Sequence, residues 1–302
     1  MLSGDDHDRE LALAEAAALT GGRPCAEKLV EADHAIDIDR SGYVSCGIEW
    51  LANGATIDQV CQDTRALGIA SDGFGLEVRR IPRGLPVSCR ETADKLALAI
   101  DGRPHLDDPS ERFLAFATPE GIWFGRKMKS GKHDWRCFVR KPYDSSSALP
   151  AQAARAVCDL LIRGGESVLD PCCGSGSLLL HAAVLGARVT GHDINKKMVG
   201  ATNKNLAHFG FGRAATLADA TETTGDYDIV LANLPYGNMS AVSPERSAQM
   251  VTNIVGRAPR GVLITTRDVS RDIEQAGAII RQVIRLAKFS VTRLIFVYGM
   301  AP

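Results

Sequence analysis

Val168-Leu169-Asp170-Pro171-Cys172-Cys173-Gly174-Ser175-Gly176-Ser177 decides how this chain is read. A short apolar strand over residues 167–170 stops at an acid, turns through two glycines and enters a helix expected over 175–185. Gly174 and Gly176 allow backbone angles denied to residues with a Cβ and let the main chain approach a ligand closely. The free N–H groups of the following helix would then face a carboxylate or a phosphate. A strand–helix turn with no ligand would look the same locally, so the surrounding pattern has to decide.

Working outward, a helix is expected over 151–161, a strand over 188–192 and a helix over 195–209. Strands follow at 214–217, 228–232 and 261–265, then a helix over 270–280 and closing strands at 283–288 and 293–298. Regular alternation of strand and helix predicts a mostly parallel sheet covered by helices, with the closing pair as an antiparallel edge. Three more of these strands end on polar residues. Asp193 stands 23 residues after Asp170, where an acid accepts hydrogen bonds from ribose hydroxyls, or else caps the next helix. Leu179 occupies the place of the third glycine of a dinucleotide fingerprint, so a cofactor with adenosine and a small charged tail fits better than a pyrophosphate. Asp219, followed by Ala220, could bond an adenine amino group. Asn233-Leu234-Pro235-Tyr236 can take a planar amine: the Asn233 carbonyl and the backbone carbonyl before Pro235 accept its two hydrogens, and Tyr236 stacks on the base. Asn and Pro also form plain turns, but four such strand ends share the carboxyl edge at which α/β sheets bind ligands.

The first half reads as a helix over 7–19, strands over 29–38 and 42–48, and a helix over 56–67 capped by Thr56. A strand over 74–81, a helix over 88–100 opened by Ser88 with Glu91, and strands over 112–118 and 121–127 follow. Between Arg126 and Lys141 the basic residues Arg126, Lys127, Lys129, Lys132, Arg136, Arg140 and Lys141 interleave with Trp135 and Phe138. The stretch reads as a linker that grips phosphates, or as a solvated hinge.

A chain of 302 residues favours about two domains, and 45% hydrophobic with 24% charged residues is ordinary globular composition. The net charge of −1 argues against nucleic-acid binding by bulk positive charge. The total hides an asymmetry: residues 1–63 carry 4 basic and 13 acidic side chains, whereas residues 64–141 carry 15 and 10. Eight cysteines with no C-x-x-C spacing predict neither a disulfide scaffold nor a metal site. The acidic, polar opening MLSGDDHDRE does not read as a secretory signal. No long charge-free apolar run predicts a membrane span, so a cytoplasmic protein with reduced thiols is expected.

DPCCGSG (170–176), GHDI (191–194), ADAT (218–221) and NLPYG (233–237) resemble, in this order and spacing, the motifs of S-adenosylmethionine-dependent methyltransferases that modify exocyclic amines. Lys141-Pro142-Tyr143, Ala148-Leu149-Pro150 and Ala153-Ala154-Arg155-Ala156 resemble the approach segment of the THUMP-containing tRNA guanine-N2 methyltransferases. Ser290-Val291-Thr292-Arg293-Leu294-Ile295-Phe296-Val297 is similar to that family's closing hairpin. Phe74-Gly75-Leu76-Glu77-Val78-Arg79-Arg80, Leu106-Asp107-Asp108-Pro109 and Gly121-Ile122-Trp123-Phe124-Gly125-Arg126 look like a THUMP RNA-binding domain. The chain differs at the catalytic turn, where that family usually reads Asp-Pro-Pro-Tyr and rRNA adenine-N6 dimethyltransferases read Asn-Leu-Pro-Tyr.

The resemblance implies an α/β fold: a C-terminal Rossmann-like domain with a mostly parallel seven-stranded sheet and an antiparallel edge strand, preceded by an α+β ferredoxin-like/THUMP region. It implies a ferredoxin-like segment over 1–70, a THUMP-like domain over 71–128, a basic linker over 129–148 and a methyltransferase domain over 149–302. S-Adenosyl-L-methionine would lie against Asp170, Pro171, Cys172, Gly174, Gly176, Asp193, Ile194, Asp219, Ala220 and Asn233. Catalysis would fall to Asn233, Leu234, Pro235 and Tyr236, with a flipped guanosine of tRNA, guanosine 10 by similarity, as methyl acceptor. Adenine-N6 methylation of RNA or DNA, methylation of a protein glutamine amide, and RNA binding without catalysis are the rival readings. A monomer is expected.

Overall fold

The structure, a computed structural model, describes all residues except 4–5, 35, 106, 129–132, 236–242, 289–290 and 302. It divides into two compact units. One holds residues 1–3, 22–38 and 44–131, and the other holds 4–21, 39–43 and 132–302.

In the first unit a hairpin, β1 (Arg23–Ala26) and β2 (Leu29–Glu31), precedes β3 (Ile48–Gly54), α2 (Ile57–Ala66), β4 (Phe74–Arg80), α3 (Cys89–Ala97), β5 (Glu111–Thr118) and β6 (Gly121–Lys127). The helices are numbered after α1 (Arg9–Thr20), which belongs to the second unit. The four-stranded sheet has the order β3-β6-β5-β4, with β4 and β5 parallel and the other neighbours antiparallel. Central β5 is buried on both faces. Phe113, Ala115 and Ala117 pack with Val60, Cys61 and Leu96 of α2 and α3, while Leu114 and Phe116 pack with Leu29 of the hairpin. The caps read from the sequence are formed: Thr56 accepts from the Gln59 amide and Ser88 from the Glu91 amide. This sheet takes β3 from one side of residue 70 and β4–β6 from the other.

The second unit runs through α4 (Ala151–Leu161), β7 (Ser167–Asp170), α5 (Ser177–Val184), β8 (Arg188–Asp193), α6 (Lys196–His208), β9 (Ala215–Leu217), β10 (Ile229–Asn233), α7 (Pro244–Val255), β11 (Arg260–Thr265), α8 (Ser270–Gln275), β12 (Ala278–Lys288) and β13 (Val291–Met300). Its seven-stranded sheet has the order β12-β13-β11-β10-β7-β8-β9. The five strands from β11 to β9 are parallel, and β13 is antiparallel to both of its neighbours. The mostly parallel sheet with an antiparallel edge is therefore present. Strands β7 and β10 are buried apolar runs, as strands covered on both faces must be.

Several local expectations are corrected. Residues 29–38 and 42–48 are not two long strands: β2 stops at Glu31, and Ile38–Arg40 is a 3-10 turn. The helix expected over 270–280 ends at Gln275. Gly277, at φ +87, turns the chain into β12, whose β-branched Ile279 and Ile280 suit a strand. Helix α7 was not anticipated, although Ser243 caps it by accepting from the Arg246 amide and Pro244 stands in its first turn. Residues Asp134–Arg140, expected in a linker, form a 3-10 helix whose Phe138 packs with Leu180 and Leu206. Among the described residues, no helix is long and apolar enough to cross a membrane.

Helix α1 packs on α4 through a buried charged cluster. Glu15 accepts from the Ser41 hydroxyl and from the amides of Gly42 and Tyr43, and Arg40 pairs with the buried Asp159 at 2.9 Å. Burial first, and the neighbouring Asp159 charge second, push the Glu15 carboxyl up to about 8. A carboxyl raised on folding stabilises the native state below its ordinary pKa, and that contribution is lost as pH rises toward the folded value. Asp159→Asn removes one cause of the shift. Relative to wild type it should gain stability as pH rises from about 5 to 8, which thermal unfolding across that range checks.

Candidate active site

Four strand ends meet where the sheet changes its direction of growth, between β7 and β10. In an open parallel sheet the connections leave in opposite directions at such a point and open a crevice at the carboxyl edge. Asp170 ends β7, Asp193 ends β8, Asp219 follows β9 and Asn233 ends β10.

The first acid shapes the glycine turn from within. Asp170 is buried and accepts from the Cys172 amide at 3.1 Å. Burial, opposed by that hydrogen bond and aided by the Asp193 charge, pushes its carboxyl up to about 8. Pro171 is buried, and Cys172 is half-buried with its thiol pushed up by burial. Asp193 lies across the turn. One of its oxygens accepts from the Gly174 amide at 2.9 Å and the other from the Asn195 amide at 2.8 Å. The cap of α6 is Asn195, not Asp193, which leaves the unused lone pairs of Asp193 for a ligand. Ile194 beside it is 68% exposed, an apolar platform at the edge of the crevice.

The two glycines differ. Gly174, at φ +53, has nothing within 4 Å of where a Cβ would point. Gly176, at φ +80, opens α5, and a Cβ there would lie 2.8 Å from Thr202 Cγ2. The hydroxyls of Ser175 and Ser177 are buried and have no hydrogen-bond partner among the described residues.

Asp219 folds its side chain back on the Thr221 amide and hydroxyl, and its second oxygen meets Arg246 of α7 at 2.5 Å. The Thr221 amide, first, and Arg246 lower its carboxyl pKa. Arg246 was not singled out in the sequence. Ser243-Pro244-Glu245 announces a helix start, but nothing in the chain says that this helix returns to the β9 end. Ala220 is buried.

Asn233 donates its Nδ2 hydrogen to the Ser147 carbonyl at 3.1 Å, and its Oδ1 is buried without a partner among the described residues. Leu234 turns its side chain into the core, and its amide donates to the Ile264 carbonyl, so only its own carbonyl is available to a ligand. Pro235 is half-buried, and Tyr236 lies outside the described residues.

The basic candidates are not one patch. Arg126 pairs with Glu111 and Glu49, Lys127 with Glu77 and Lys141 with Asp144. Arg136 lies over the Trp135 ring at 5.7 Å, Arg140 is exposed, and Lys129 and Lys132 lie outside the described residues. Among the described residues, no group of three or more His, Cys, Asp or Glu could hold a metal ion.

Residues 139–262 match the family described as RMKL-like, methyltransferase domain. A tRNA (guanine(10)-N2)-dimethyltransferase of Methanothermobacter thermautotrophicus is 29% identical over 39% of this chain and 37% of its own length. One from Pyrococcus abyssi is 27% identical over 57% of this chain and 59% of its own length. A ribosomal protein L11 methyltransferase of Thiobacillus denitrificans is 42% identical over 28% of this chain and 29% of its own length. The chain thus spans only part of the curated relatives it matches. Among solved structures, TrmN from Thermus thermophilus aligns at 21% identity with a TM-score of 0.46, covering 83% of this chain and 82% of the other.

The contrast between the glycines is testable. Gly176→Ala should cost about 1–3 kcal/mol, combining left-handed strain with the Thr202 clash, whereas Gly174→Ala should cost only the strain, about 1 kcal/mol. Denaturant unfolding of both variants measures the difference.

Proposed function

We propose that the chain, whose residues 139–262 match the RMKL-like methyltransferase-domain family, is an S-adenosyl-L-methionine-dependent RNA methyltransferase. Its acceptor is the exocyclic N2 amine of a guanosine in tRNA, guanosine 10 by resemblance. The observation that carries this reading is the free Asn233 carbonyl oxygen at the same sheet edge as the open space above Gly174.

The residues present fit the cofactor. Unpartnered Ser175 and Ser177 hydroxyls, the first-turn amides of α5 and the spare lone pairs of Asp193 offer the donors and acceptors that an amino-acid tail and a ribose need, and Ile194 offers an apolar face to a base. When bound, S-adenosyl-L-methionine supplies a sulfonium methyl group whose C–S bond breaks as a C–N bond forms. The chain's own contribution is positioning and orientation of the amine. Asn233 Oδ1 and the Leu234 carbonyl accept the two amine hydrogens, which aims the nitrogen lone pair out of the plane of the base. Tyr236 is proposed to stack on that base, and Asp219 to receive the adenine amino group once Arg246 gives way.

Arg136 and Arg140 support phosphate contact, since neither is taken up by an acid in any ion pair the structure shows. Arg126, Lys127 and Lys141 would exchange a carboxylate for a phosphate, which a polyanion favours at low salt. Lys129 and Lys132 complete the proposed set. The setting is cytoplasmic, and a monomer is proposed.

The local identity to a ribosomal protein methyltransferase supports a second reading, methylation of a protein. Incubation with methyl-labelled S-adenosyl-L-methionine and tRNA, rRNA, DNA or ribosomal protein separates the two. Label in N2-methylguanosine is expected. Label in N6-methyladenosine or in protein would replace the guanine reading. Asp193→Ala should weaken cofactor binding about ten-fold by calorimetry, the loss of roughly one good hydrogen bond to a charged group. Asn233→Ala should abolish methylation while cofactor affinity is retained.

A further inference from the structure

The Asn233 side chain is a carboxamide, and its surroundings fix which way it is turned. The atom facing the Ser147 carbonyl at 3.1 Å must be a donor, because two oxygens at that distance would repel. This fixes the amide: NH2 faces Ser147, and Oδ1 is left buried and unpartnered among the described residues.

The Ser147 carbonyl is itself held. The turn is closed by the Ala148 amide donating to the Ser145 carbonyl at 3.0 Å, and the hydroxyls of Ser145 and Ser147 bond each other at 2.9 Å. Upstream, fully buried Asn205 of α6 accepts from the Tyr143 amide and donates to the carbonyls of both Tyr143 and Ser175. One side chain thereby ties the 143–147 strap to the glycine turn. The register of β10 on β11 fixes the other end, with Asn233 opposite Ile264.

We propose that the Ser147 carbonyl is a positioning group for the methyl acceptor: by holding the Asn233 NH2 it leaves Oδ1 as the uncharged side-chain acceptor for the substrate amine, beside the Leu234 carbonyl, and it makes a carboxamide obligatory at this position. The inference rests on the amine-methylating reading above. It adds a specificity of the site itself, because the acceptor amine meets a carbonyl dipole and no anion. Asn233 cannot take the amine's proton, so the surplus proton leaves to solvent after transfer.

The test is Asn233→Asp beside Asn233→Ala in the full chain. The aspartate is nearly isosteric and is, by chemistry alone, the stronger acceptor. We expect Asn233→Asp to keep cofactor affinity within two-fold by calorimetry and to lose kcat on tRNA at least ten-fold, close to the alanine variant. An aspartate variant with half or more of the wild-type kcat would overturn the proposal. An alanine variant as active as wild type would overturn the role of Asn233 altogether. A second measurement needs no substrate. In 15N-labelled wild-type protein, the Asn233 side-chain amide, assigned by its loss in Asn233→Ala, should show one hydrogen shifted downfield and slowed in exchange by its bond to Ser147. A freely exchanging, unshifted pair would overturn the proposal even if no RNA proved to be a substrate, whereas the expected signal without RNA methylation would overturn only the proposed function.

Discussion

The candidate site depends on one constraint, the parallel pairing of β7 with β8 on one side and β10 on the other. These strands are only four to six residues long, so each ends within a residue or two of the same edge. The pairing brings together side chains that lie up to 63 positions apart in the chain. The acids then lock the loops they precede: Asp170 holds the Cys172 amide and Asp193 holds the Gly174 amide, so the glycine turn is stitched to two adjacent strands. Buried backbone donors need such partners, and here the partners are the ionisable groups themselves.

What was legible in the sequence follows from which signals are local. Thr56, Ser88 and the 151–161 helix announce themselves within a few residues, through capping side chains and apolar periodicity, and the structure reproduces them closely. The β7–α5 and β8–α6 units were readable for the same reason. The misreadings concern non-local choices. Val and Ile between residues 29 and 48 suit a strand anywhere, but a strand exists only where a partner pairs with it: Leu29–Glu31 pairs with β1, Val44 makes an isolated bridge to Leu2, and Ile48 begins β3. Of the site itself, the acids and the glycines were visible. The Ser147 carbonyl was not, because a backbone carbonyl carries no residue-specific mark, and Arg246 needed knowledge of where α7 packs.

Charge shows the same limit. Counting gives a basic stretch from Arg126 to Lys141, yet three of its members already face carboxylates. The Arg126 and Lys127 pairs are partly exposed, where an ion pair contributes about 0–1 kcal/mol, so exchanging their acids for phosphates is inexpensive. Side chains of this kind meet a polyanion where shape brings phosphates close, and such contacts weaken with salt. A near-neutral total charge is therefore compatible with local phosphate contacts.

Across the crevice, ionisation is graded by solvent access. Asp170, buried against the sheet, is pushed up to about 8, and the Cys172 thiol is pushed up with it. Asp219, at the rim, is held ionised by the Thr221 amide and Arg246. Asn233 has no charge to lose. The floor of the crevice thus favours neutral groups while its rim favours anions. A neutral amine entering over Asn233 meets an oriented carbonyl dipole in a poorly solvated place, where such a dipole acts most strongly and needs no reorganisation to do so. A positively charged amine would meet no counter-ion at Asn233, and a lone pair already used to bind a proton could not attack. Under the proposed function, a preference for an uncharged, planar amine would follow from the same burial that raises the Asp170 carboxyl.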